Sequence, residues 1–112
     1  MPNKFEVMLT DRAKNDIADK KRYILENFRY KEYADNYSRS MRDAVNSLEV
    51  FPKGFVDTGL SYRGYEIYLK PMNDHLVFYT VDENMKTVTV LRILQDGMDW
   101  QNIIKAWIGV NG

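Results

Sequence analysis

In the stretch TVTVLRILQDGMDW, residues 87–100, a guanidinium sits inside an otherwise apolar β-branched run. Burying that group without a partner costs several kcal/mol, so Arg92 must meet an anion. Two sources are open. One is an internal carboxylate, with Asp99 or Asp96 across the following turn as the natural candidates; the other is an anionic group brought by another molecule. Strand periodicity places Val90 and Leu94 on the same side as Arg92. His75 is the single histidine of the chain, and the ordinary pKa of a histidine lies near neutral, which suits an acid or base as well as a solvated residue beside a turn. Arg63, in YRG, can pair with Asp57 or Glu66 or serve an outside anion, and Lys70 is either solvated or functional. Tyr62, Tyr65, Tyr68 and Tyr79 can stack on bases, face a protein or pack in a core. Lys14, Lys20, Lys21 and Arg22 alternate with acids, as on a solvated helix face.

The elements that must position these groups follow from periodicity. Phe5, Val7 and Leu9 alternate with Lys4, Glu6 and Met8, a strand with one covered face that ends at Thr10. Thr10 or Asp11 can cap a helix carrying Ala13, Ile17, Ile24 and Phe28 at helical spacing, ending near Phe28. Ala34, Tyr37, Met41, Ala44 or Val45, and Leu48 form a second stripe that Pro52 cannot continue. So short a link makes the two helices an antiparallel hairpin. GYEIYLK and HLVFYTV, joined by the turn residues of PMND, read as a β-hairpin; DENMK turns the chain into TVTVLRI, a central strand. Trp100, Ile103, Ile104 and Trp107 then fall on one side of a short terminal helix. The expected order is βααβββα in a single domain, residues 1–112.

Composition bounds the function classes. With 112 residues, 45% hydrophobic and 13% aromatic, the chain is long enough for one core that buries roughly two thirds of its unfolded surface. Sixteen basic residues balance sixteen acidic ones, ten against nine before Pro52 and six against seven after it. That balance argues against a general nucleic-acid coat, because such binding rests on cations neutralising phosphates. Cysteine is absent, so neither disulfides nor thiolate metal sites are available, and no metal or other cofactor is expected. No segment approaches the ~20 apolar residues of a membrane span, and a cytoplasmic protein is expected.

Across nearly the whole chain, VMLTDRAKNDIADKKRYILENF, NSLEVFPKG, YRGYEIYL and LVFYTVDENMKTVTVLRILQDGMDW, in that order and spacing, resemble the RelE/ParE superfamily of bacterial type II toxins. The resemblance implies an α+β fold: a helical hairpin packed on a twisted, mainly antiparallel four-stranded sheet, with a short C-terminal helix. It also implies growth arrest, neutralised by a cognate antitoxin. RelE-like members cut mRNA in the ribosomal A site without metal, whereas ParE-like members inhibit DNA gyrase.

Metal-free RNA cleavage needs a base for the 2′-hydroxyl, cations for the phosphorane and an acid for the leaving oxygen. In RelE-like relatives, outward lysines and an arginine come from the strand matching YEIYLK; here Glu66, Tyr68 and Lys70 stand there. Gln95, Asp96 and Gly97 replace a histidine-glycine-arginine turn, and Thr80 stands where arginine is frequent. At ~5 Å and an effective dielectric of 20, Glu66 would repel a phosphate by about 3 kcal/mol. A reduced catalytic set of Arg63, Lys70, Arg92, Tyr68 and His75 on one concave face is the enzyme reading. Missing cations and zero net charge favour gyrase inhibition, and a decayed toxin that binds only antitoxin is the third reading. Tyr65, Tyr79, Trp100 and Trp107 are the candidates for contact with target or antitoxin. Trp107 either closes the core or leaves an apolar patch for an antitoxin helix or a homodimer.

Overall fold

The computed structural model describes residues 4–50, 52, 56–72 and 74–111. Asn73 of the PMND turn, and Phe51, Lys53 and Gly54 of NSLEVFPKG, lie outside these residues. The elements are β1 (Glu6–Leu9), α1 (Asp11–Asn27), α2 (Lys31–Ser47), β2 (Val56–Tyr62), β3 (Tyr65–Met72), β4 (His75–Asp82), β5 (Thr87–Gln95) and α3 (Trp100–Asn111). They form one five-stranded sheet in the order β1-β5-β4-β3-β2, with β1 parallel to β5 and every other pair antiparallel.

The strand missing from the sequence reading is β2, so the sheet has five strands where four are expected. Its sequence, VDTGLSY, has neither clean alternation nor a β-branched run. It holds its place through the ladder to β3 and through local polar bonds. Thr58 Oγ1 donates to the Ile67 carbonyl at 2.7 Å, and the Gly59 amide donates to Asp57 at 2.9 Å. The register shifts between Asp57 and Ser61, where Gly59 adopts φ 78°. An irregular, polar edge of this kind discourages pairing with another chain.

Each face of the sheet carries its own core. On one side Ala13, Ile24, Ala34, Met41, Val45 and Leu48 of the helical hairpin meet Val77, Tyr79, Val88, Val90 and Ile93. On the other, Ile104 and Trp107 of α3 cover Ile67, Leu69, Phe78, Leu91 and Leu94. Strand β4 is therefore buried from His75 to Val81, and its near-continuous apolar sequence reflects cover on both faces.

Between β4 and β5 the register slips: Phe78 faces Arg92, whereas Tyr79 faces Val90. The extra residue, Leu91, is a bulge that resets the alternation. Val90 belongs to the hairpin-side core and Leu94 to the α3-side core. The expectation that both point with Arg92 therefore fails for Val90, because strict period two holds only in an unbulged strand.

The helix starts follow side-chain chemistry. Thr10 accepts from the Ala13 amide at 3.1 Å as the N-cap of α1, and its hydroxyl donates to the Leu91 carbonyl at 2.8 Å. One side chain thus ties helix start to central strand. The two long helices pack against one another as the short link requires.

Candidate functional site

Strand β1 stops at Leu9, and beyond Val90 the edge of β5 loses its ladder partner. Helix α1 fills the vacancy. The Thr10 amide donates to the Val90 carbonyl at 3.0 Å, and one turn and a half further on Asp16 reaches the strand. Asp16 Oδ2 accepts from Arg92 Nε at 2.8 Å and from the Ile93 amide at 3.0 Å, while Oδ1 accepts from Arg92 Nη2 at 3.0 Å. Both side chains are only 9% exposed. This is the anion Arg92 requires, held in the bidentate geometry that guanidinium and carboxylate favour. It is neither Asp96 nor Asp99. Asp99 instead accepts from Asn102 Nδ2 at 2.6 Å, and the Asp96 amide donates to the Asp74 carbonyl.

His75 opens β4 and is 8% exposed, so it is not the solvated turn residue its position suggests. Its ring packs on Tyr37 at 5.3 Å between centroids. Among the described residues its Nε2 has no hydrogen-bond partner. Burial pushes the imidazole pKa down, and the nearby Lys20 charge pushes it further, against a smaller opposing pull from Asp74. The folded state therefore prefers neutral His75. Between the lowered folded pKa and the ordinary 6.5, only the unfolded chain binds the proton, so stability is full above 6.5 and declines as the pH falls. Urea midpoints measured from about pH 7 to 5.5 should fall, by at most about 1.4 kcal/mol per pH unit in free energy, and the decline should vanish in His75→Gln. An unchanged slope in that variant would assign the effect elsewhere. Tyr37, beside the histidine, is pushed up to about 12 by burial and then by Asp16.

The remaining expected site residues do not gather at one place, although Tyr68 touches Tyr79, and Arg63 and Tyr65 line a common cleft. Lys70 donates to the Ser47 hydroxyl at the end of α2, and partial burial lowers its pKa. Tyr68 packs on Tyr79 at 5.8 Å and donates to Glu66 at 3.3 Å. Tyr79 is fully buried, and that burial raises its pKa far above the ordinary phenol value. Arg63 and Gly64, at φ 52° and 86°, form the two-residue turn between β2 and β3. Arg63 lies over the Tyr62 ring at 5.1 Å, and both residues donate to the Asn111 carbonyl at 3.2 Å. A cation and a hydroxyl thereby satisfy an orphan carbonyl at the C-terminal end of α3, and neither Asp57 nor Glu66 is the partner of Arg63.

Tyr65 donates to Asp82 at 2.8 Å, which raises the phenol pKa. The Met85 amide and Tyr65 hold the Asp82 carboxyl below its ordinary value. Trp100 packs on Phe78 at 5.4 Å and Trp107 on Tyr62 at 4.7 Å, with Trp107 only 8% exposed. Both indoles contribute to the α3-side core.

Arg63, Lys70 and Arg92 therefore do not converge on one hollow face. Arg63 closes the end of α3, Lys70 the end of α2 and Arg92 the side of α1, and both sheet faces are filled. Two of the five do share a cleft: His75 and Arg92 line a space of about 310 Å³ with Tyr37, Asp16 and Lys20. Sequence reasoning missed Asp16 and Tyr37, whose roles carry no local signal; Asp16 lies 76 positions from Arg92. Lys20, expected on a solvated face, is half-buried and donates to Gln95 at 3.4 Å. Among the described residues no cluster of histidine and carboxylates is arranged to hold a metal ion, and no helix is long and apolar enough to cross a membrane.

The fold matches three solved toxin-antitoxin structures. Against a chain of the chromosomal ParDE system from P. aeruginosa the TM-score is 0.67 at 14% identity, covering 84% of this chain and 98% of that one. Against the complex RelBE2 from Mycobacterium tuberculosis it is 0.57 at 16% identity, covering 85% and 94%. The archaeal RelE-RelB complex from Pyrococcus horikoshii OT3 gives 0.50 at 17%, covering 84% and 97%. At such identities the likeness establishes the α+β fold. No curated protein sequence matches significantly. The sequence profile described as ParE toxin of type II toxin-antitoxin system, parDE, spans residues 7–100, from β1 to the start of α3. The chain belongs to the ParE toxin family of type II toxin-antitoxin systems.

Proposed function

We propose that this protein arrests growth by inhibiting DNA gyrase in the cytoplasm and is neutralised by a cognate antitoxin. The observation that carries the reading is the engagement of the groups RNA cleavage would need. Arg92 is neutralised by Asp16, Arg63 is tied to α3, Lys70 is held by Ser47, and Glu66 adds a negative charge beside Tyr68. Among the described residues Arg63, Lys70 and Arg92 do not form the shared set of cations that stabilising a phosphorane calls for. Inhibiting a protein target needs only a complementary surface. Antitoxin pairing is supported by the family and by fold relatives described as ParDE or RelBE systems and complexes.

One observation favours ribosome-dependent mRNA cleavage as the second reading: His75 and Arg92 line a common cleft with Lys20. A single experiment separates the two. On induced expression in a bacterial host, growth should stop, plasmid DNA should lose negative supercoils, and transcript 5′ ends should stay unchanged. New transcript ends with normal supercoiling would replace gyrase by mRNA as the target. Unimpeded growth would leave a chain that binds antitoxin without toxicity.

A further inference from the structure

The tip of the helical hairpin carries aromatic side chains that the described fold leaves half uncovered. Residues 20–33 read KKRYILENFRYKEY. Tyr23, Leu25, Phe28, Tyr30 and Tyr33 are each 49–57% exposed. Phe28 meets Tyr33 edge to face at 5.7 Å, and Tyr30 meets Tyr33 at 6.1 Å. Single exposed rings are ordinary, whereas a contiguous group at one end of a domain marks an interaction surface.

Local chemistry at the tip is poor for folding alone. The link between the helices is Phe28-Arg29-Tyr30, where turns ordinarily take glycine, asparagine or aspartate. Tyr30 is the N-cap of α2 and makes no side-chain bond to the free amides, a role serine, threonine or aspartate would fill. Rings stand where stabilising residues fit better.

The rings frame a cleft. Lys20, Ile24, Phe28 and Tyr33 line a space of about 480 Å³, with buried Ile24 among its walls. Lys20 lines it, and the segment also carries Lys21, Arg29 and Lys31 against Glu26 and Glu32, a surplus of two once Arg22 is set against Asp19, its partner at 3.4 Å, in a chain whose net charge is zero. The occupant that matches is apolar at one point and negative around it.

We infer that the hairpin tip docks an acidic polypeptide segment, which sets an apolar side chain in the cleft of Ile24, Phe28 and Tyr33 and carboxylates beside Lys20, Lys21, Arg29 and Lys31. Nucleic acid fits less well. Stacking needs open ring faces, and the edge-to-face contacts of Phe28 and Tyr30 with Tyr33 occupy part of them. Glu26 and Glu32 would also meet a continuous phosphate backbone or an anionic lipid surface, whereas a polypeptide can place its charges selectively. The inference does not depend on which effector step the toxin uses.

The test uses a fluorescent synthetic helical peptide with leucine at every third and fourth position and glutamate between, titrated with the protein and followed by anisotropy. Saturable binding is expected, weakened about tenfold by Phe28→Ser or Tyr33→Ser, as for aromatic anchors at interfaces. Raising salt from about 0.05 to 0.3 M should weaken it several-fold, and Lys31→Glu, which leaves the rings intact, should weaken it as well. Circular dichroism and thermal midpoints verify that each variant keeps its fold. A peptide with lysine in place of glutamate, oligothymidylate and phosphatidylglycerol vesicles should not bind. No saturable binding by the acidic peptide, or equal binding by the tip variants, would overturn the inference. So would tighter binding of oligothymidylate or vesicles that the same variants abolish.

Discussion

Asp16→Ala should lower the unfolding free energy by about 3–5 kcal/mol, because it strands a guanidinium that the fold keeps out of water. The stranded partner is Arg92, and the same substitution removes the acceptor of the Ile93 amide. For a domain whose total stability is on the order of 5–15 kcal/mol, such a loss brings part of the population to the unfolded state near body temperature. Arg92→Met should cost less. The carboxylate it leaves keeps the Ile93 amide and the nearby Arg12, 3.8 Å away, and methionine fills much of the volume. Urea denaturation of the two single variants and the double variant gives the coupling between them. Should Asp16→Ala cost under about 1 kcal/mol, or match Arg92→Met, the pair is not the structural tie described above.

The second large effect concerns α3. Trp107→Ala should cost about 3–5 kcal/mol, the range for truncating a buried aromatic. Trp107 is buried against Tyr62, and with it goes the docking that brings the Asn111 carbonyl to Tyr62 and Arg63. Trp100→Ala should cost less, since that indole is only partly buried. Urea unfolding followed by circular dichroism measures both. A near-neutral Trp107→Ala that instead abolished antitoxin binding would make Trp107 an interface residue and not part of the core. An intact Trp107 with loss of α3 in the Tyr62→Ala variant would locate the same seal on the opposite side.

Much of the fold was legible because most elements announce themselves locally. The apolar stripes of α1 and α2, the threonine before α1, the run HLVFYTV and the i, i+3, i+4, i+7 spacing of α3 are patterns a single segment carries, and they correspond to the elements found. Strand β2 was not legible, since its bulged, polar sequence pairs only because β3 offers a free edge. The candidate site divides the same way. That Arg92 needs an anion follows from the cost of burying charge, and the sequence alone states it.

Which anion answers was decided by topology. The parallel β1 stops early, α1 turns back along the exposed edge of β5, and Asp16 lands beside a residue 76 positions away. A one-residue bulge at Leu91 then shifts the strand phase at that point. Sequence determines what each segment must bury and which groups require partners, because those costs belong to the side chains themselves. Only the folded chain decides who the partners are, because proximity between distant segments depends on where strands end and how they are registered.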